Sequence, residues 1–329
     1  MTPTVSPDVP TRGHTPLEVL ICTHNRVELL ERALRHLNQA NRPNNRTVSL
    51  FVAANACTDT THKFLTAYQE SADEENKLPL RWIVEALPGK SNALNSAIPL
   101  LKGDAIAMVD DDHRVDSQFF IQIFKALEEY PQADFYCGKI IPDWTGEEQD
   151  WVRDTGKYKI YPLPIPRFEL GENPLQVTKD IAHPGGGNLV IKRDLFERVG
   201  PFSNKLGPVG HNLEGAEDIQ WVKCAYRLNA YLQYIPGLIQ YHFVDQDRLK
   251  LRYILKKAYA RSCSMVRTRD DETSYFLFPK FLLRKSLNYL ALSISKPGRA
   301  AKRFYLVRLS STLGEMKGYI LSNREDSKR

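Results

Sequence analysis

A chain of 329 residues, 42% hydrophobic, 26% charged and 10% aromatic, is long enough for two domains or one large α/β unit. Its composition excludes collagen, wholesale disorder and a multi-span membrane protein. The net charge of +6 is unevenly laid out, with −8 over residues 1–247 and +14 over residues 248–329, an acidic front and a basic tail that exclude a uniformly basic nucleic-acid binder.

Residues 1–16, MTPTVSPDVPTRGHTP, are rich in Pro and Thr, lack the apolar stretch of a signal peptide, and read as a disordered leader. From residue 17 short apolar runs alternate with helical stretches. LEVLICT (17–23) predicts a buried strand, and residues 26–40 a helix with Leu29, Leu30, Ala33, Leu34 and Leu37 on one face. TVSLFVAA (47–54) predicts a second strand, followed by a helix capped near Thr58. A third strand over 80–86, a helix over 89–103 and a fourth strand over 104–110 complete the pattern. Strands separated by helices imply a mainly parallel sheet with right-handed crossovers, on which ligands gather at the carboxyl ends of strands. A helix over 116–130 and a strand over 134–141 come next, and residues 142–180, rich in Pro, Trp and charge, read as a long loop or lid. HPGGGNLVIKRDLFERVG (183–200) predicts a Gly-rich turn, a strand and a short helix, and residues 217–230 a further helix. Residues 246–262 and about 280–321 read as basic helices. Their apolar residues suit either a membrane interface or packing against protein, with the charges solvated.

No run of about 18 apolar residues is present, and the nearest, 276–294, is interrupted by Pro279, Lys280, Arg284 and Lys285. The five scattered cysteines, without a CxxC pair or zinc-finger spacing, read as free thiols in a reducing compartment. The expected location is cytoplasmic, with peripheral contact at the inner face of a membrane left open by the basic helices.

Several segments carry residues suited to chemistry. AMVDDDHR (107–114) ends an apolar strand on three adjacent carboxylates, a crowding that costs free energy unless a cation offsets it. Mg²⁺ or Mn²⁺ would do so, and a solvated turn capping the next helix is the alternative. Glu217 and Asp218 open a helix, where acids meet the helix dipole or where one serves as a general base. Gly89, Lys90 and Ser91 start a helix after a strand, a place to hold phosphate or a plain turn. The glycines of HPGGGN (183–188) permit close approach to a ligand or tight turning. His242, after an apolar run, suits a metal or phosphate contact or a structural role. A Ser/His/Asp nucleophile elbow, HExxH and a post-strand GxGxxG are absent from the sequence, which removes weight from hydrolase, zinc-protease and dinucleotide readings.

Taken in order, VLICTHNRVELLERAL (19–34), VAANACTDTT (52–61), GKSNALNSAI (89–98), MVDDDHRVD (108–116), GGGNLVIKRDLFERVGPF (185–202) and GAEDIQW (215–221) resemble family-2 inverting glycosyltransferases of the GT-A fold. The resemblance implies a GT-A domain over 17–245, with a nucleotide-sugar half (17–116) and an acceptor half (117–245), and a helical basic extension over 246–329. It implies transfer of a sugar from a nucleotide-diphosphate-sugar to a hydroxyl of a glycan or lipid-linked acceptor in polysaccharide or glycolipid synthesis, with inversion and a divalent metal, and no nucleic acid. Asp110 and Asp112 match the metal and nucleotide aspartates, joined by Asp111 on the nucleotide side and His242 on the metal side. Asp218 matches the catalytic base and Glu217 its neighbour. Thr23, Asn25, Arg26 and Lys90 match the nucleotide pocket, and Gly186, Gly187 and Asn188 the acceptor side. Ala54 stands where the family's base-contacting acid lies, which leaves base recognition to Asn55 or Asp59.

Two other readings compete. A sugar nucleotidyltransferase would carry a Gly-rich loop after the first strand, where ICTHNRVE (21–28) has no Gly. A non-catalytic sugar- or lipid-surface-binding protein on a degenerate transferase fold is favoured by Ala54 and opposed by Asp110, Asp112 and Asp218.

Overall fold

The structure, a computed structural model, describes residues 4–5, 17–72, 76–153, 156–161, 163–204, 206, 216–267 and 278–326. The chain divides into two compact units: residues 1–142, 167–210 and 217–243 form the first, and 143–166, 211–216 and 244–329 the second.

The strands are β1 (Thr4–Val5), β2 (Leu17–Thr23), β3 (Val48–Asn55), β4 (Leu80–Glu85), β5 (Ala105–Met108), β6 (His113–Val115), β7 (Phe135–Asp143), β8 (Leu175–Val177), β9 (Leu189–Lys192) and β10 (Leu232–Phe243). The helices are α1 (Val27–Gln39), α2 (Thr61–Ser71), α3 (Lys90–Ala97), α4 (Phe119–Glu129), α5 (Arg193–Val199), α6 (Glu217–Arg227), α7 (Leu251–Arg267), α8 (Lys280–Ser295) and α9 (Arg299–Asp326). The first unit is built on one sheet, ordered β1-β4-β3-β2-β5-β9-β7-β10-β6, with β8 also on β10. β4, β3, β2 and β5 run parallel, as the strand-helix alternation requires. β9 pairs antiparallel to β5 and β7, and β6 and β8 pair antiparallel to β10.

All of β3 is buried, because helices cover both faces of a sheet whose connections are crossovers. Alternate residues face opposite sides. Val19, Ile21, Leu50 and Val52 join a core with Leu30 and Leu34 of α1, Leu65 of α2 and Phe120 of α4, while Leu20, Phe51 and Ala53 join one with Leu94 of α3, Leu195 of α5 and Trp221 of α6. Burying a large aliphatic side chain contributes about 1.5–3 kcal/mol, so these two layers are the main support of the strand ends that carry the site.

One ion pair lies inside the sheet. Glu18 Oε1 accepts from Arg81 Nη2 at 2.8 Å, and its other oxygen accepts from the backbone N–H groups of Lys102 and Gly103. Arg81→Ala leaves the Glu18 carboxylate buried without its countercharge. An expected loss of about 3 kcal/mol or more is measurable by urea unfolding.

Several elements differ from the sequence expectations. The helix after β3 starts at Thr61 rather than beside Thr58. Asp59 Oδ1, not Thr58, accepts from the Thr61 N–H and hydroxyl, while the Thr58 N–H donates to Asn25 Oδ1. The helix expected over 89–103 ends at Ala97 and continues as a 3₁₀ turn, Ile98–Leu100, around Pro99. β10 was not foreseen, because Pro236 and Gly237 in its middle argue against a strand in sequence, and the three residues of β6 are too few to show a period. Of the leader, only Thr4–Val5 is described, paired antiparallel to Ile83 and Val84 rather than disordered; the other leader residues lie outside the described set.

The second unit holds residues 244–329 and also takes residues 143–166, expected as part of a long loop or lid, out of the middle of the chain. The reason is apolar: Val152, Ile160 and Ile165 form one cluster with Val244, Leu249, Ile254, Ala258 and Val307. Arg303 adds a cation–π contact over Trp151 at 4.4 Å. The helical stretch expected over 280–321 is two helices, α8 and α9, broken at Pro297 and Gly298. Among the described residues no helix is long and apolar enough to cross a membrane, and the five cysteines are free.

Candidate functional site

The site lies at the carboxyl ends of β2, β3 and β5 within the first unit. β5 ends at Met108, the chain turns through Asp110 to Asp112 with the His113 N–H on Asp110 O at 3.0 Å, and β6 begins. β6 pairs antiparallel to β10 with His113 directly opposite His242, so both rings project from one face of the sheet, their centroids 4.9 Å apart. Asp112 sits between them, Oδ2 at 3.7 Å from His242 Nε2 and Oδ1 at 3.9 Å from His113 Nε2. The three side chains place one ligand atom each within 4.8 Å of one another.

Hydrogen bonding determines which ring nitrogens carry the lone pairs. His242 Nδ1 lies 2.7 Å from the carbonyl of Phe243. A carbonyl only accepts, so Nδ1 carries the hydrogen and Nε2 of the neutral ring carries the lone pair. For His113 the argument runs through two amides. Asn188 Nδ2 donates to the carbonyls of Lys139 and Leu238, which turns Asn188 Oδ1 toward Gln240. Gln240 Nε2 donates to that oxygen and to the carbonyl of Met108, which turns Gln240 Oε1 toward His113 Nδ1 at 2.8 Å. His113 Nδ1 is therefore the donor, and its Nε2 lone pair faces Asp110 and Asp112. Two imidazole lone pairs and a carboxylate converging in a buried space are a donor set that fits a divalent cation.

The other acids are held by cations. Lys90 Nζ lies 2.6 Å from Asp110 Oδ1. Burial opposes the ionisation of Asp110, but the Lys90 ammonium, joined by His113 when its ring is protonated, outweighs it and holds the carboxyl below its ordinary value. Burial likewise opposes the charge of Lys90, and Asp110, Glu217 and Asp218 outweigh it, so Lys90 stays protonated. Asp111 accepts from the Thr23 hydroxyl at 2.8 Å and from Arg26 Nη1 at 3.1 Å, and the same guanidinium reaches Asp112 Oδ2 at 3.4 Å. Burial and the Asp112 charge raise the Asp111 carboxyl to about 6, against the pull of Arg26.

α6 brings Glu217 and Asp218 into its first turn. Trp221 anchors the helix, fully buried, stacked on Phe202 and donating to the carbonyl of Gly200. Asp218 Oδ2 accepts from the Gly186 N–H at 2.6 Å and Oδ1 from the Ile219 N–H at 2.7 Å. Glu217 is buried, with no hydrogen-bond partner at Oε2. Burial and the Asp218 charge raise it to about 7 despite Lys90. A carboxyl raised from about 4.5 binds its proton more tightly folded than unfolded, so stability is lost as pH climbs from about 4.5 to about 7. Glu217→Gln removes that loss. The variant is expected to melt at least ~2 °C above the parent at pH 8 and close to it at pH 5 in thermal scans.

The remaining expected residues take different places. Asn55, expected to face a nucleobase, is buried and committed to the turn before α3: Nδ2 donates to the carbonyls of Glu85 and Leu87, and Oδ1 accepts from the Gly89 N–H. Gly89 itself sits at φ +132, a conformation that glycine adopts without strain. Asn25 Oδ1 accepts from the Thr58 and Asp59 N–H groups, and Asp59 Oδ2 from the Val27 N–H, so the two residues join the β2 and β3 turns. Ala54 is fully buried in β3. Of the acceptor-side residues, Gly186 holds Asp218, whereas Asn188 is buried inside the sheet with its amide fully used. A Cβ on Gly187 would lie 2.7 Å from Asp110 Oδ2 and 2.8 Å from His113 Cε1, so the close approach of this loop to the carboxylates requires glycine. His113 and Gln240 were missed from sequence. The residue following the three aspartates was the available signal for His113, but only the β6–β10 register brings it to His242.

Known proteins share this framework. Residues 18–200 match the model of glycosyl transferase family 2. A glucosyl-dolichyl phosphate glucuronosyltransferase of Haloferax volcanii is 24% identical over 122 residues, which cover 37% of this chain and 37% of that protein. A beta-monoglucosyldiacylglycerol synthase of Trichormus variabilis is 30% identical over 138 residues, 42% of this chain and 28% of that protein. The matched stretches thus span well under half of either relative. Among solved structures, the mannosyltransferase PcManGT of Pyrobaculum calidifontis, in complex with GDP-Man and Mn²⁺, superposes with a TM-score of 0.56 at 17% identity, covering 96% of this chain and 88% of that one. That likeness concerns the fold, which is GT-A.

Proposed function

Because the chain belongs to glycosyl transferase family 2, we propose that its carboxylate-lined site transfers a sugar, with inversion, from a nucleotide-diphosphate-sugar to an acceptor hydroxyl. The observation that carries this reading is the convergence in one unit of the Asp112, His113 and His242 donor set, the Lys90 ammonium and the Asp218 carboxylate. In this reading Asp218, fixed by two backbone N–H groups, takes the proton of the attacking hydroxyl. Lys90 and Arg26 meet the negative charge of the donor's diphosphate, and Thr23 orients Asp111 beside them. A divalent ion held by Asp112, His113 and His242 would stabilise the leaving diphosphate. Two imidazoles favour a transition ion such as Mn²⁺ over Mg²⁺, which prefers oxygen ligands. The site has one placed base and no second carboxylate assigned to a covalent intermediate, in keeping with direct displacement. A lipid-linked acceptor is supported by the names of the two relatives, a glucosyl-dolichyl phosphate glucuronosyltransferase and a beta-monoglucosyldiacylglycerol synthase.

The test is a panel of nucleotide-sugars screened by thermal shift with and without Mn²⁺. Hits are then assayed for release of nucleoside diphosphate and for the anomeric configuration of the product by NMR. Stabilisation that requires Mn²⁺, followed by an inverted product, is expected. A retained configuration, or no stabilisation by any donor, overturns the reading.

The amide relay makes its own prediction. Gln240→Leu removes the acceptor at His113 Nδ1 and frees the ring to take the other tautomer. Outer partners of metal ligands carry about 10- to 100-fold in affinity, so calorimetric titration with Mn²⁺ is expected to weaken by that factor. Asn188→Ala, one step further out, should weaken it less.

A further inference from the structure

α8 has a face that the described residues leave exposed. The helix packs on α9, with Ser286 Oγ 3.6 Å from Met316 Sδ and Lys285 Nζ 3.1 Å from Glu315, and Leu282, Ser286 and Ser293 are buried. On the outer side Leu283, Leu287, Leu290 and Ile294 follow one another at spacings of four, three and four residues, with Phe281 beside the first turn, and all five are between 45% and 71% exposed. Among the described residues, five of the ten exposed large apolar side chains lie on this one helix of 16 residues. Apolar side chains scattered singly over a surface need no explanation, but a contiguous stripe marks an interaction site.

The charges around the stripe identify its partner. From residue 273 to residue 314 the sequence has no Asp or Glu and eight Lys or Arg. Lys280 and Arg284 are exposed at the start of α8, and Lys296, Arg299 and Lys302 are exposed just beyond its end. A second copy of this chain laid on the stripe would bring these cations against one another, and α8 itself carries no acid to offset them. An anionic lipid surface takes both features at once. A helix of about 24 Å with an apolar face and cations at both ends lies in the plane of the headgroups, its basic side chains reaching the phosphates from the edges. We propose that the outer face of α8 is a docking surface for anionic membrane, on which the chain rests without crossing it.

The experiment is co-sedimentation of the full chain with phosphatidylcholine vesicles, with and without about 30 mol% phosphatidylglycerol, joined to hydrogen exchange over residues 280–295. Binding to the anionic vesicles at low salt is expected, about tenfold weaker on phosphatidylcholine alone or at high salt, with exchange slowed in α8. Leu287→Glu combined with Ile294→Glu is expected to weaken binding at least about tenfold. Both side chains are exposed, so the variant should keep the parent's circular dichroism and melting temperature. Lys296→Glu combined with Arg299→Glu should remove the preference for anionic lipid while leaving the apolar stripe in place. The proposal is overturned by absence of binding at low salt, by binding that neither variant changes, or by a dimer in light scattering that Leu287→Glu and Ile294→Glu dissociate while vesicles are ignored.

Discussion

Asp218→Asn is expected to leave donor binding intact and to lower turnover by about 10²- to 10⁴-fold, the usual worth of a positioned general base. The substitution keeps the size and shape of the side chain. It replaces one carboxylate oxygen by an NH₂ group that cannot accept from either the Gly186 or the Ile219 N–H, both of which Asp218 now satisfies. One of those bonds is therefore lost, at about 0.5–1.5 kcal/mol, a cost to stability that a melting curve separates from the loss of turnover. The signature of a base is a fall in kcat with the donor Kd unchanged, as measured by single-turnover kinetics and calorimetry. If Asp218→Asn retains activity and Glu217→Gln does not, the two carboxyls exchange roles. The geometry argues for Asp218, because Glu217 is buried with its carboxyl raised to about 7, whereas Asp218 is held at its two oxygens by backbone N–H groups.

The second large effect concerns the cation. His242→Ala or Asp112→Asn is expected to weaken Mn²⁺ binding by more than about 100-fold, beyond what an outer partner such as Gln240 carries. Metal-dependent nucleotide binding should be lost with it. Calorimetry with Mn²⁺, in the presence and absence of a nucleoside diphosphate, gives both quantities. His242 meets the opposite ring across the β6–β10 register and Asp112 lies between the two rings, so either change removes one corner of the donor set while the sheet pairing is made by backbone alone. Equal nucleotide affinity of the parent chain in EDTA and in Mn²⁺ would count against a metal role for all three residues.

Much of the framework was legible in the residues because its causes are local. The buried runs over 17–23, 47–54, 80–86 and 104–110 became β2, β3, β4 and β5 with no end displaced by more than two residues, since an apolar run flanked by helical periodicity has few ways to bury itself other than as a parallel strand. Their order placed Thr23, Arg26, Lys90 and Asp110 to Asp112 at carboxyl ends, and the structure brings these residues into contact. The paired acids of α6 were readable for the same reason, with the helix start marked by its own sequence.

What sequence order could not supply was every feature made by pairing between distant segments. His113 becomes a neighbour of His242 only through antiparallel register between a three-residue strand and one about 130 positions away, and a shift of one residue would turn both rings to the other face. Asn55 and Asn188 looked free to meet a ligand, yet tertiary hydrogen bonds commit both amides to backbone carbonyls in the interior, because a buried amide without partners costs more than any distant contact returns. Residues 143–166 left the first unit for the second because their apolar side chains found Leu249, Ile254 and Val307. Composition and periodicity thus determined the strands, the helices and the order of the charged turns. Only the folded chain decided which lone pairs converge and which polar groups are spent in the interior, since both depend on register and burial between residues far apart in sequence.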